Sequence, residues 1–190
     1  MLGPMMVIAG AGSGKTRVLT YRIAYLLARG VDPFSILALT FTNKAAKEMK
    51  DRIARVVGQT DARSVWMGTF HSVFARILRI ESERINYPRN FTIYDSQDSR
   101  SLIKDIIKGL GLDDKVYKPS SVQSRISTAK NNLIDARGYA DQTEVMQEDI
   151  QAGRPQLAAV YAAYESRCFR SHVMDFDDLL FKMNVLLRDF

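Results

Sequence analysis

Eight residues near the amino end, Ala9-Gly10-Ala11-Gly12-Ser13-Gly14-Lys15-Thr16, constrain this chain more than any other stretch. A short apolar run, Met5-Met6-Val7-Ile8, precedes them and has the length of a buried strand. After them Leu19, Ile23, Leu26 and Leu27 recur at i, i+4, i+7 and i+8, the apolar stripe of a helix. Strand, glycine-rich loop, Gly-Lys-Thr and helix together are the context of a phosphate-binding P-loop. Glycines let successive backbone N–H groups turn around an anion, and the new helix adds the positive end of its dipole. The candidate nucleotide-binding residues are therefore Ala9, Gly10, Ala11, Gly12, Ser13, Gly14, Lys15 and Thr16, with Arg17 close to the phosphates. Lys15 is the residue expected to reach the β/γ-phosphates, and the Thr16 hydroxyl is expected to ligate Mg²⁺. The first position of the usual G-x-x-x-x-G-K-T pattern is occupied by Ala9.

Charge adds a second constraint. The net charge is +6, but residues 1–79 carry +8 and residues 80–190 carry −2. A basic first segment joined to a P-loop suits a polyanion lying across that part. A single cysteine, Cys168, excludes an internal disulfide and fits a reducing compartment, so the expected location is cytoplasmic. The apolar runs fall far short of the ~20 residues of a membrane span. The amino end also lacks the basic region of a signal peptide.

Along the chain, strands alternate with helices up to about residue 95. The first helix ends at Arg29-Gly30, and Ile36–Phe41 reads as a buried strand. Thr42-Asn43 supplies capping side chains for a helix marked by Met49, Ile53, Val56 and Val57 and closed by Gly58. Val65–Thr69 reads as a third strand, followed by a helix carrying Phe74, Ile77 and Leu78. Such alternation predicts a parallel sheet with crossover helices, whose ligands gather at the carboxyl ends of the strands. Those ends here are the P-loop, Thr40-Phe41-Thr42-Asn43-Lys44 and Thr69-Phe70-His71-Ser72. Phe91–Tyr94 is one more short strand. From Ser96 onward the pattern is helical: 102–110, about 120–130, a strong helix over 156–171, and a last helix opening at Asp175. Residues 131–153 read as polar and irregular.

Four stretches resemble superfamily 1 DNA helicases of the UvrD/Rep/PcrA type. They are Ala9–Thr16 with Arg17-Val18-Leu19, Thr40–Ala46 with Glu48-Met49, Gly68-Thr69-Phe70-His71-Ser72, and Asp175-Phe176-Asp177-Asp178-Leu179-Leu180. That family tolerates Ala at the position of Ala9. The resemblance implies a P-loop NTPase fold of the RecA-like α/β kind with an inserted all-helical subdomain. Residues 1–95 with 173–190 would form part of the ATP-binding domain, and residues 96–172 the insertion. It also implies ATP and Mg²⁺ as cofactors, single-stranded DNA and single-strand/duplex junctions as partners, 3′-to-5′ translocation, and a setting in repair or replication with accessory proteins. Catalysis would rest on Lys15 and Thr16, and DNA binding on Thr40, Phe41, Thr42, Asn43, Lys44, Thr69, Phe70 and His71. A strand ending in Asp-Glu, the adenine-reading glutamine and the second RecA-like domain are not found in the sequence, so the chain is expected to be an inactive fragment of a longer protein.

Several residues admit two roles. Phe41 and Phe70 suit either a core or a stacking platform for bases, each base having a π-face. His71 suits a structural role or DNA contact, and Lys47 an exposed helix face or phosphate. Asp175, Asp177 and Asp178 follow only Val173-Met174, too short a strand for a Mg²⁺-binding acid pair, so they are expected to cap a helix. Rival functions are a small P-loop kinase, which would leave the Thr-Phe-Thr-Asn-Lys and Thr-Phe-His stretches without a role, and a non-catalytic nucleotide- or DNA-binding module. A related helicase–nuclease also stays open.

Overall fold

The computed structural model describes residues 5–8, 10 and 12–190. They fold as two compact α/β units, one through Val73 and one over Phe74–Phe190. Among the described residues no helix is long and apolar enough to cross a membrane.

The first unit holds α1 (Lys15–Ala28), β1 (Leu37–Thr40), α2 (Asn43–Val57), α3 (Gln59–Ser64), β2 (Trp66–Thr69) and the start of α4 (Phe70–Ile80). β1 and β2 pair in parallel, from Leu37 opposite Trp66 to Thr40 opposite Thr69. The core beneath them joins Ile23 of α1, Ile36 and Ala38 of the β1 segment, and Met49 and Ile53 of α2. Parallel pairing demands a crossover, and α2 with α3 supplies it. The expected strand at Met5–Ile8 does not form: no strand pairing is assigned there, and Met6 and Ile8 stay 84% and 90% exposed. An apolar run becomes a strand only beside a backbone that takes its hydrogen bonds, and among the described residues β1 and β2 pair only with each other.

The second unit continues α4 and adds β3 (Thr92–Ile93), α5 (Ser96–Gly109), α6 (Pro119–Asn131), α7 (Ala136–Ala140), α8 (Thr143–Gln151), α9 (Leu157–Arg170), β4 (Val173–Met174) and α10 (Phe176–Asp189). One core gathers Ile103, Ile106 and Ile107 of α5 with Val122 and Ile126 of α6 and the predicted stripe of α9, Leu157, Val160, Tyr161, Tyr164 and Cys168. A second joins Leu78, Phe91, Met174, Leu179 and Met183. β3 and β4 pair in parallel, Thr92 with Val173 and Ile93 with Met174, so the two ends of the helical stretch lie side by side. Residues 131–153, expected to be irregular, contain α7 and α8. These helices carry too few apolar positions for a readable stripe and are held by tertiary packing of Ala136 and Tyr139, with Val145 and Met146 packed partly against the same core.

Candidate functional site

The glycine-rich loop enters α1 through two glycines in the left-handed region, Gly12 at φ 76° and Gly14 at φ 89°. No atom lies within 4 Å of a Cβ built at Gly12, so backbone conformation rather than space calls for glycine there. The loop closes on one carbonyl. Gly10 O accepts from the Ser13 hydroxyl at 2.6 Å, the Ser13 amide at 3.3 Å and the Lys15 ammonium at 2.6 Å. α1 then starts with no side-chain cap and no acidic residue in its first turn, which leaves its positive dipole end for an external anion. A cavity of about 580 Å³ borders Gly12, Ser13, Gly14, Arg17, Val18 and Tyr21, and the Arg17 guanidinium lies over the Tyr21 ring at 5.6 Å. The exposed Thr16 is a hard oxygen donor beside Lys15, of the kind Mg²⁺ takes, so the residues present fit both a nucleotide phosphate and its cation. Ala9 and Ala11 lie outside the described residues.

The ends of β1 and β2 form a second locus in the same unit. Register places Thr40 beside Thr69, so the next residues, Phe41 and Phe70, emerge together with ring centroids 5.6 Å apart and planes tilted by 41°. Phe41 is 91% exposed, which rules out the core role; Phe70 is half-buried. The threonines are committed locally. Thr40 Oγ1 donates to the Thr42 carbonyl at 3.1 Å, and Thr42 caps α2 by accepting from the Ala45 amide at 3.2 Å. Asn43 and Lys44 stand exposed in the first turn of α2, and His71 is half-buried in the first turn of α4.

Ser72, quoted in the sequence only as part of a motif, proves to be the partner of Thr69. The Thr69 amide donates to Ser72 Oγ at 2.9 Å, and the Ser72 amide donates to Thr69 Oγ1 at 3.2 Å. The readable signal was threonine at the helix N-cap with a hydroxyl three residues on. Gly68 makes room for it, since a Cβ there would meet Ser72 Oγ at 2.6 Å.

The four-residue acidic stretch does cap a helix. Asp175 and Asp178 form the reciprocal capping box of α10. Lys130, on α6 and 3% exposed, lies 2.7 Å from Asp175 and 2.8 Å from Asp178, and the Tyr164 hydroxyl donates to Asp175 at 2.8 Å. Burial works against the Lys130 charge, but Asp178 and Asp175 outweigh it and hold the ammonium protonated well above the usual lysine range. Burial would also raise Asp175; Lys130 overrides it and keeps that carboxyl below the ordinary aspartate value. Asp178, more deeply buried and beside a second carboxylate, is pushed up instead. A lysine directly after Ala129 at the buried end of the α6 stripe was the sequence signal for this cluster.

Residues 1–190 match the N-terminal domain of UvrD/REP helicases. Among curated proteins, the ATP-dependent DNA helicase PcrA of Staphylococcus aureus is 45% identical over 179 residues, covering 94% of this chain and 24% of that helicase. PcrA of Leuconostoc citreum is 46% identical over 179 residues, covering 94% of this chain and 23% of its own length. PcrA of Staphylococcus epidermidis is 46% identical over the same span. The chain spans about a quarter of the length of these relatives.

Proposed function

Since the chain belongs to the UvrD/REP helicases, matching their N-terminal domain, we propose that it is the ATP- and single-stranded-DNA-binding portion of an ATP-dependent 3′-to-5′ DNA helicase. The observation that carries this reading is the Phe41–Phe70 ring pair at the ends of two paired strands, in the unit that also holds the P-loop. Neither a kinase acceptor site nor a simple nucleotide switch calls for an aromatic ring 91% exposed at a strand end.

In this proposal the loop amides of residues 10–14 cradle the phosphates, and Lys15 stabilises charge on the transferred phosphoryl group. Arg17, over Tyr21, flanks the nucleotide. Thr16 would hold Mg²⁺, which would supply positive charge against the nucleotide phosphates. Phe41 and Phe70 stack on bases, while Asn43, Lys44, His71 and the remaining hydrogen-bonding capacity of Thr40, Thr42 and Thr69 face the DNA backbone. The sheet is of the RecA-like P-loop kind. Residues 1–95 with 173–190 act as the motor part and 96–172 as a helical insertion, a division supported by the β3–β4 pairing that brings residues 92–93 and 173–174 together. The setting is cytoplasmic DNA repair or replication at single-strand/duplex junctions, with accessory proteins. Hydrolysis by the 190 residues alone should be weak. Phosphoryl transfer also draws on a water-orienting carboxylate and on arginine fingers worth ~10³–10⁵ in rate, and here Asp175 and Asp178 are committed to the start of α10.

The test has two arms on the 190-residue chain. Binding of a fluorescent ATP analogue with Mg²⁺ should be lost in Lys15→Ala. Binding of oligothymidylate should weaken by about 1–3 kcal/mol in Phe41→Ala, with an unchanged slope of log affinity against log salt, because a stacking ring touches no phosphate. Nucleotide binding without any DNA binding, together with phosphate transfer to a small acceptor, would replace the helicase reading with a kinase.

A further inference from the structure

We propose that Ser72 is a positioning residue that sets the Phe41–Phe70 platform and thereby the affinity for single-stranded DNA, an inference that rests on the base-stacking role proposed above. Ser72 is itself solvent-exposed, and its hydrogen bonds serve groups of Thr69, which is buried. They all converge on that single residue. Besides the two reciprocal amide bonds, the Thr69 hydroxyl donates to Ser72 Oγ at 3.0 Å and the Ser72 hydroxyl donates to the Thr69 carbonyl at 3.0 Å. Four hydrogen bonds between residues 69 and 72 leave the two residues between them, Phe70 and His71, one backbone arrangement. Thr69 is in turn fixed to β1 by its register with Thr40, the residue before Phe41. Strand, cap and ring pair thus form one unbroken chain of constraint from Ser72 to both aromatic rings.

Nearby space supports the same assignment. The bare Cα of Gly68 lets the Ser72 hydroxyl sit over the end of β2, where a Cβ would approach it to 2.6 Å and Val73 Cγ2 to 2.9 Å. Phe41, 91% exposed, has little surrounding protein to hold its ring, which leaves Phe70 as its aromatic neighbour at 5.6 Å. Without the Ser72 hydroxyl the first turn of α4 loses half of its reciprocal cap and frays. The Phe70 ring then has to be ordered on binding, and that cost comes out of affinity.

The experiment is a double-mutant cycle read by anisotropy of a fluorescein-labelled oligothymidylate on the 190-residue chain, with Trp66 fluorescence confirming that each variant is folded. Ser72→Ala should weaken binding about fivefold and Phe70→Ala by at least as much, the scale of one lost stacking contact. In the Phe70→Ala background, Ser72→Ala should cost less than about twofold, as expected of two residues acting through one contact. Ser72→Thr keeps the hydroxyl and should restore affinity to within about twofold of the unaltered chain. Gly68→Ala reaches the same end without touching Ser72, by displacing its hydroxyl, and should be no worse when combined with Ser72→Ala. Equal losses from Ser72→Ala in both backgrounds, a flatter salt dependence in Ser72→Ala, or no rescue by Thr would overturn the positioning role while leaving base stacking in place. Unchanged binding in Phe70→Ala would overturn both.

Discussion

Glu165 on α9 shows what burial does to a single acid. Its carboxylate accepts the Ala136 amide at 3.1 Å and borders a cavity of about 650 Å³ whose lining includes five alanines and Lys182. Burial raises its pKa above 4.5, and neither the Ala136 hydrogen bond nor the charges of Lys130 and Lys182 fully offset that. The native chain therefore binds more protons at this site than the unfolded chain does, just above pH 4.5. Stability from this group is full below that value and falls as pH rises through the native pKa. Glu165→Gln keeps an acceptor for Ala136 and removes the titration, so its urea midpoint should change less with pH over that window and exceed that of the unaltered chain at neutral pH. A variant with the same slope as the parent would place the titration elsewhere. At this scale the sequence was uneven. Cys168 was readable as core because it sits on a clear apolar stripe. The partners of Ser72 and Lys130 are set by a cap and by tertiary packing, so their local sequence signals do not by themselves name those partners.

Between elements, the strongest polar tie is the one from α6 to the start of α10. Lys130 bridges both acids of the capping box, and Asn131 beside it donates to Asp177 at 3.4 Å. Breaking a buried pair from one side strands the remaining charge, so Lys130→Met should cost about 3–5 kcal/mol in chemical denaturation. Adding Asp175→Asn and Asp178→Asn, which remove the stranded charges while asparagine still caps, should recover most of that loss. If the triple variant stays as weak as the single one, the lysine stem rather than its charge is what matters. Asp175, held low, contributes above its ordinary value of 3.8 and loses that contribution as pH falls through its native pKa, whereas Asp178, pushed up, takes its proton earlier on acidification. Helices with a full apolar stripe, α5, α9 and α10, were legible in the sequence to within a few residues. α7 and α8 were not, being short and held by neighbours. Met5–Ile8 misled for the opposite reason: its hydropathy suits a strand, but hydropathy does not supply a pairing partner.

At the scale of the molecule, each compact unit has its own apolar core and, by chance of composition, its own reporter. Trp66, the single tryptophan, lies in β2, and Cys168, the single cysteine, lies in the core of the second unit. Burial pushes the Cys168 thiol up to about 12, so at neutral pH its labelling reports opening of that unit rather than surface reactivity. Mg²⁺ with ATP should raise the Trp66 transition, by about 2.7 kcal/mol at a hundredfold excess over Kd, and leave the Cys168 labelling rate unchanged. Parallel shifts of both would mean that the two units open as one. The alternation of strands and helices made the α/β class legible, and short local stretches marked the glycine-rich loop and both strand ends as candidates. That Phe41 and Phe70 meet was not readable from spacing, because it depends on strand register across 29 residues. Nor was the division at Val73, which falls inside the uninterrupted pattern of α4. The Lys130 clamp has one more consequence. Its two ends are 45 residues apart and joined by side chains alone. Doubling the length of a flexible connection costs only about 0.6 kcal/mol, well below the value of the clamp, so the exposed turn at residues 151–153 is free to lengthen while α10 still begins in the same place.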